Sequence, residues 1–244
     1  MERVIVWKGN MYTNSSSRGG HVPIVIVNHI SAGTMTSMDS WFTSADNMVS
    51  SAHYGVAKDG RIHQYVDIRR MAWANGIGAA DIAASKTPII KDHPGLNPNL
   101  YSVSIEHEGT DGDLTPMQFD SSVWLHKFIQ QQVYKLWALR FELDRYYVIG
   151  HFMISPVGKP NCPGPKFPWE RLYSALAGEE EDNMPMKLAQ YQWDMLYEVL
   201  GKAYNDDKLS WDWMQKIVEK SMTVTELTFV NTVLDGRIDR KLNV

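Results

Sequence analysis

A chain of 244 residues, 44% of them hydrophobic, is long enough for one large domain or for a domain with an appendage around a real core. Its formal net charge of −4 carries no nucleic-acid footprint, and its one cysteine excludes an internal disulfide. No segment reaches the roughly 20 apolar residues of a membrane-spanning helix, and the first eight residues lack the apolar stretch of a signal peptide.

Along the chain, Ile24-Val25-Ile26-Val27-Asn28-His29 is a β-branched run that predicts a buried strand, and Ile30-Ser31-Ala32-Gly33 closes it with a small-residue turn. His29 therefore stands where a strand runs out. Asp92 to Asn99 reads as a Gly- and Pro-punctuated loop feeding a second strand, Leu100 to Gly109. Alternation puts Ser104, Glu106 and Glu108 on one face of that strand and His107 on the other. A carboxylate near a dry strand end is costly unless it has a partner or a task, which singles out Glu106.

Thr115-Pro116-Met117-Gln118 predicts a capping box with Pro at the first helical position, followed by Leu125, Phe128, Ile129, Val133 and Leu136 at helical spacing. Tyr146-Tyr147-Val148-Ile149-Gly150-His151 repeats the pattern of a strand ending in histidine. Cys162 follows in the loop Lys159-Pro160-Asn161-Cys162-Pro163-Gly164-Pro165. A thiolate and two imidazoles suit Zn²⁺, and three protein ligands leave the open position of a catalytic site. Spacing alone does not select His29 and His151 from eight histidines, and a lone buried Cys or His is more often core.

The segment Gly178-Glu179-Glu180-Glu181-Asp182-Asn183-Met184-Pro185 predicts an exposed linker. The expected organisation is a catalytic domain over residues 1–177, a linker over 178–185 and an all-helical module over 186–244. In the module, Leu188, Tyr191, Met195, Val199 and Leu200 form one helical stripe. Ser210 is placed to cap a helix carrying Trp211, Met214, Ile217 and Val218. Thr223-Val224-Thr225-Glu226 supplies a capping box for a helix carrying Leu227, Phe229, Val230, Val233 and Leu234.

Residues 20 to 175 resemble the type 2 N-acetylmuramoyl-L-alanine amidases, a family that includes bacteriophage endolysins and the peptidoglycan recognition proteins. The resemblance rests on the His29 turn, on Val49-Ser50-Ser51-Ala52-His53-Tyr54-Gly55 with Asp59-Gly60-Arg61-Ile62, and on Ala72-Trp73-Ala74-Asn75-Gly76. Ser104-Ile105-Glu106-His107-Glu108-Gly109, Gly150-His151 and Cys162-Pro163-Gly164-Pro165 complete it.

It implies an α/β fold with a mixed central β-sheet flanked by helices, followed here by the small helical module. It also implies zinc held by His29, His151 and Cys162, peptidoglycan as partner, and hydrolysis of the amide between the lactyl group of N-acetylmuramic acid and L-Ala. Glu106 is then the expected proton carrier and Lys159 the expected oxyanion partner, against the plainer reading of Lys159 as a solvated loop residue. His53, Trp73 and Asn75 are candidate substrate-groove residues, against structural roles in the groove wall. Production in a host cytoplasm without a signal peptide, and action on the wall after release, suits an endolysin. Wall binding or homodimerisation is the expected role of the helical module. The alternatives are a non-catalytic recognition protein and a cytosolic muropeptide-recycling amidase.

Overall fold

The computed structural model describes residues 3–76, 78–178, 185–186 and 188–242. The first unit, Met1–Leu176, opens with β1 (Ile5–Trp7), β2 (Ser15–Ser17), β3 (Val25–Ile30), α1 (Met35–Phe42), β4 (Tyr54–Val56), β5 (Ile62–Gln64) and β6 (Arg70–Ala72). The short helices α2 (Ala79–Ala84), α3 (Pro88–Lys91) and α4 (Pro98–Tyr101) lead into β7 (Ser102–His107) and the long α5 (Pro116–Trp137). β8 (Val148–Gly150), α6 (His151–Ile154) and α7 (Trp169–Leu176) complete it.

Six strands form one sheet in the order β1-β5-β4-β7-β3-β8. β4 and β5 pair antiparallel while the other neighbours run parallel, so the sheet is mixed, as the resemblance implies. The register sets His29 opposite Glu106 and Asn28 opposite Gly150, which brings three predicted site segments to one end of adjacent strands.

Both faces are covered, which explains why β3 reads as a continuous apolar run rather than an alternating one. On one face Ile26, Val103 and Ile105 pack with Leu125, Ile129 and Val133 of α5. On the other, Val25 and Val27 pack with Ile89, Ile149 and Ile154. Thr115 caps α5 by accepting from Gln118 N at 3.1 Å. The Gln118 side chain does not return to the cap; its Nε2 donates to the Val56 and Glu108 carbonyls, tying the helix to the sheet.

Under α5 lies a buried polar cluster. His107 Nδ1 donates to the His29 carbonyl at 3.0 Å and its Nε2 accepts from Ser122 Oγ at 2.9 Å, on the sheet face opposite Glu106. His126 is buried beside it, bonded to the Ser122 carbonyl at 2.7 Å. Burial pushes His107 down to about 3 and His126 to about 4. Burial, and then the Arg18 guanidinium, push His53 to about 3. In the unfolded chain each imidazole titrates near 6.5. The unfolded state therefore binds more protons below that pH, so stability is complete above about 6.5 and drains away as pH falls towards 4. At pH 5 each such imidazole costs about 2 kcal/mol. The urea midpoint of metal-free protein should fall steeply from pH 6.5 to 4.5, above the range where ordinary carboxylates protonate; a flat midpoint would contradict it.

The second unit, Ala177–Val244, contains α8 (Gln190–Asn205), α9 (Trp211–Val218) and α10 (Val224–Leu242). The chain divides between Leu176 and Ala177; of the expected linker, residues 179–184 lie outside the described residues. Trp193, Leu200, Met214, Ile217, Met222 and Val230 form the core of this unit. Of the expected stripe, Leu188 and Leu200 pack in this core, but its other three residues do not. Tyr191, Met195 and Val199 are exposed, while Trp193, Leu196, Leu200 and Ala203 face inward. Both sets repeat at helical spacing, and the set carrying the bulky indole is the one buried. Ser210 sits at the α9 N-terminus without a side-chain cap bond. The Thr223–Glu226 capping box forms in both directions, at 3.0 and 3.1 Å.

Candidate active site and metal centre

The site is built where β3, β7 and β8 end. His29 is the penultimate residue of β3 and His151 begins α6 directly after Gly150. A Cβ on Gly150 would lie 2.8 Å from the Phe152 ring and 2.9 Å from the Trp169 ring, so only glycine lets strand and helix join this closely. The two imidazoles meet edge to face, with centroids 4.4 Å apart.

Cys162 arrives from a loop that is held at several points. Phe152 N donates to the Cys162 carbonyl at 2.9 Å, and Cys162 N to the Lys159 carbonyl at 3.2 Å. Asp81 Oδ1 accepts from Val157 N at 3.0 Å and Gly158 N at 3.1 Å, fixing the segment that leads into Lys159. The result places Cys162 Sγ 3.8 Å from His29 Nδ1.

One potential ligand atom each from His29, His151 and Cys162 lie within 4.8 Å of one another, the only such triad among the described residues. Tetrahedral zinc with bonds of 2.0–2.3 Å holds its N and S ligands about 3.4–3.6 Å apart, so the donor set and its spacing fit that ion. His151 Nε2 and Glu106 Oε2 are buried polar atoms without partners, a costly arrangement that a bound cation and a reacting ligand would relieve.

Burial, followed by the neighbouring His151, holds His29 well below the ordinary imidazole range. Burial and then Lys159 push His151 to about 4, so both rings are neutral and able to ligate at pH 7. The Cys162 thiol is pushed up to about 12, first by burial and then by Glu106, and a cation binding there would release its proton. Glu106 Oε1 lies 3.9 Å from His29 Nδ1. Burial raises its carboxyl to about 7, against the opposing pull of Lys159.

These groups open on a cavity of about 820 Å³ lined by His29, Glu106, His151, Lys159 and Cys162, with Trp41 and Trp73 in its walls. The sequence matches the N-acetylmuramoyl-L-alanine amidase family over residues 18–165, a span that contains every one of those residues and nothing of the C-terminal unit. The chain belongs to this family. It is thus an enzyme, an amidase of peptidoglycan.

Among similar proteins, N-acetylmuramoyl-L-alanine amidase A of Achromobacter lyticus is 27% identical over 187 residues, covering 71% of this chain and 93% of the relative. The 1,6-anhydro-N-acetylmuramyl-L-alanine amidase AmpD of Haemophilus influenzae is 30% identical over 138 residues, covering 56% of this chain and 64% of its own length. A crystal structure of a selenomethionine AmpD derivative superposes with a TM-score of 0.53 at 21% identity, covering 72% of this chain and 99% of that one, a likeness of fold.

The other expected residues of this amidase part ways. Trp73 lines the cavity, its indole N–H donated to Ser16 Oγ at 2.9 Å. His53 and Asn75 do not line it; each is 1% exposed. His53 is held between Ser104 and the buried Arg18, whose guanidinium also donates to the Ile68, Asn99, Leu100 and Ser102 carbonyls. This placement sets His53 behind the groove wall, outside the cavity lining. Glu108, the rival of Glu106, accepts from Lys58 N at 2.9 Å and also lies outside the cavity lining. Trp41, Arg18 and Asp81, which stand in no motif of the sequence, also shape the site. Trp41 is 46% exposed and donates its indole N–H to Ser50 Oγ at 2.9 Å.

Proposed function

We propose that this amidase is zinc-dependent and cleaves the amide between the lactyl group of N-acetylmuramic acid and L-Ala, with His29, His151 and Cys162 as the metal ligands. The observation that carries the reading is the convergence of these three side chains beside a buried Glu106. Zinc in such a site supplies Lewis acidity: it lowers the pKa of a water towards about 7 and polarises a carbonyl.

The chain's own residues do the rest. Glu106, with a pKa near neutrality, takes the proton of the attacking water and returns it to the leaving nitrogen of L-Ala. Lys159 brings a positive charge into the same cavity, where the carbonyl oxygen becomes negative. Trp41 and Trp73, each with its one polar atom committed to a serine, present apolar ring surface to the substrate.

We take the polymeric wall as the substrate, the role of an endolysin, with the helical unit, which carries exposed Tyr191, Trp211 and Phe229, as its wall-binding element. The similarity to the Haemophilus influenzae amidase favours a second reading, action on soluble anhydro-muropeptides. Digestion of purified walls should create new N-terminal L-Ala amines in step with turbidity loss. Cleavage of soluble fragments alone would select the recycling reading, and new reducing sugar ends without L-Ala amines would overturn both.

A further inference from the structure

Lys159 enters the cavity from an exposed turn, and a carboxylate outside the cavity lining holds that turn. Val157, Gly158, Lys159 and Pro160 are all exposed. A long, flexible cation on such a turn has many orientations to lose before it can act in one of them. Asp81 of α2 supplies the restraint. Its Oδ1 accepts from Val157 N at 3.0 Å and Gly158 N at 3.1 Å, the two successive amides immediately ahead of Lys159. These amides, Gly158 first, hold the Asp81 carboxyl below the ordinary carboxylate range, so it is ionised at neutral pH and the bonds are charge-assisted.

Gly158 is fitted to this contact. A Cβ there would lie 2.9 Å from Ser155 Oγ and 3.4 Å from Asp81 Oδ2, so a side chain would crowd the carboxylate. The segment that carries Asp81 is itself tied down. Ser85 Oγ and Thr87 Oγ1 both donate to the Met153 carbonyl, at 2.9 and 2.8 Å, and Ile89 and Ile90 of α3 are buried in one cluster with Ile149 and Ile154. Residues 81–90 therefore form a brace along residues 149–158. The Cys162 end of the loop has its own tie, from Phe152 N to the Cys162 carbonyl at 2.9 Å. Beside burial, the charge of Lys159 is felt at both Glu106 and His151, so where the turn puts that charge bears on the reacting centre.

We infer that Asp81 is a positioning residue for the reaction: by fixing the Val157 and Gly158 amides it aims the Lys159 ammonium at the carbonyl oxygen. This rests on the oxyanion role given to Lys159 above.

The test compares full-length wild type, Asp81→Ala, Asp81→Asn, Lys159→Met and the double variant Asp81→Ala/Lys159→Met. The readouts are kcat and KM on a soluble N-acetylmuramoyl peptide, zinc content and amide hydrogen exchange. Asp81→Ala should speed exchange at Val157 and Gly158 with zinc content unchanged. Its kcat should fall about 10- to 100-fold with KM little altered, the cost of a misplacement of about 1 Å. Asp81→Asn, which keeps an acceptor oxygen, should recover most of both. The double variant should be no slower than Lys159→Met alone, because both changes remove the same interaction. Should the alanine variant not fold, Asp81→Ser, polar but a bond shorter, takes its place.

A folded Asp81→Ala with wild-type kcat overturns the inference, as do losses that multiply in the double variant or a loss of zinc alongside the rate. Unchanged exchange at the two amides overturns it even where activity falls. A Lys159→Met variant as fast as wild type removes the oxyanion role and the inference together, whereas a slow Lys159→Met beside a fast Asp81→Ala removes the inference alone.

Discussion

Replacing Cys162 by Ser should strip the chain of most of its zinc and abolish amide cleavage while leaving the fold intact. A thiolate is a strong zinc ligand, whereas a serine hydroxyl does not ionise near neutral pH and offers only a weak neutral oxygen. Loss of a direct ligand should weaken binding by more than the roughly 10–100-fold that removal of an outer partner costs. The fold should survive because Cys162 is half-buried on a loop anchored by backbone bonds from Phe152 and by its own N–H to Lys159. Zinc content after dialysis against a weak chelator, read beside the circular dichroism spectrum, decides the matter. Full occupancy in the folded variant removes Cys162 from the ligand set.

Glu106→Gln separates proton transfer from metal binding. The amide is nearly isosteric and keeps the strand end packed, but it cannot carry a proton at any pH near neutrality. Turnover should fall about 10²- to 10⁴-fold, the usual worth of a general acid or base, with zinc content unchanged. The same change at Glu108 should be mild for activity, because that carboxylate is bonded to Lys58 N and lies outside the cavity lining. A dead Glu108→Gln beside an active Glu106→Gln would reverse the assignment.

The parts of the site legible in the sequence are those written in strand periodicity. Val25 to His29 and Val148 to His151 announce buried strands that end in histidine, and alternation along Ser102–His107 correctly separates Glu106 from His107. The α5 start was legible too, since Thr115 and Pro116 act within one turn of chain. Tertiary placement was not. His53 and Asn75 stand in motifs that border the groove, but which way each side chain turns is decided by Ser104, Arg18 and Ser102, which come from other segments. Asp81 and Trp41 carry no local signal, because their work is done through the Val157–Gly158 backbone and the Ser50 hydroxyl. Tyr191, Met195 and Val199 of the expected α8 stripe turn outward for a related reason: two apolar faces of the helix repeat at helical spacing, and packing against Met214 and Ile217 of α9 chooses between them.

In the proposed function one cation, held by His29, His151 and Cys162, is required for cleavage of the muramoyl amide. The most direct test of this requirement is elemental analysis of the purified chain paired with its rate of L-Ala amine release before chelation, after chelation and after zinc is returned. The purified chain should carry about one zinc, lose metal and rate together, and recover both when zinc is returned. A rate that persists in metal-free protein would contradict it.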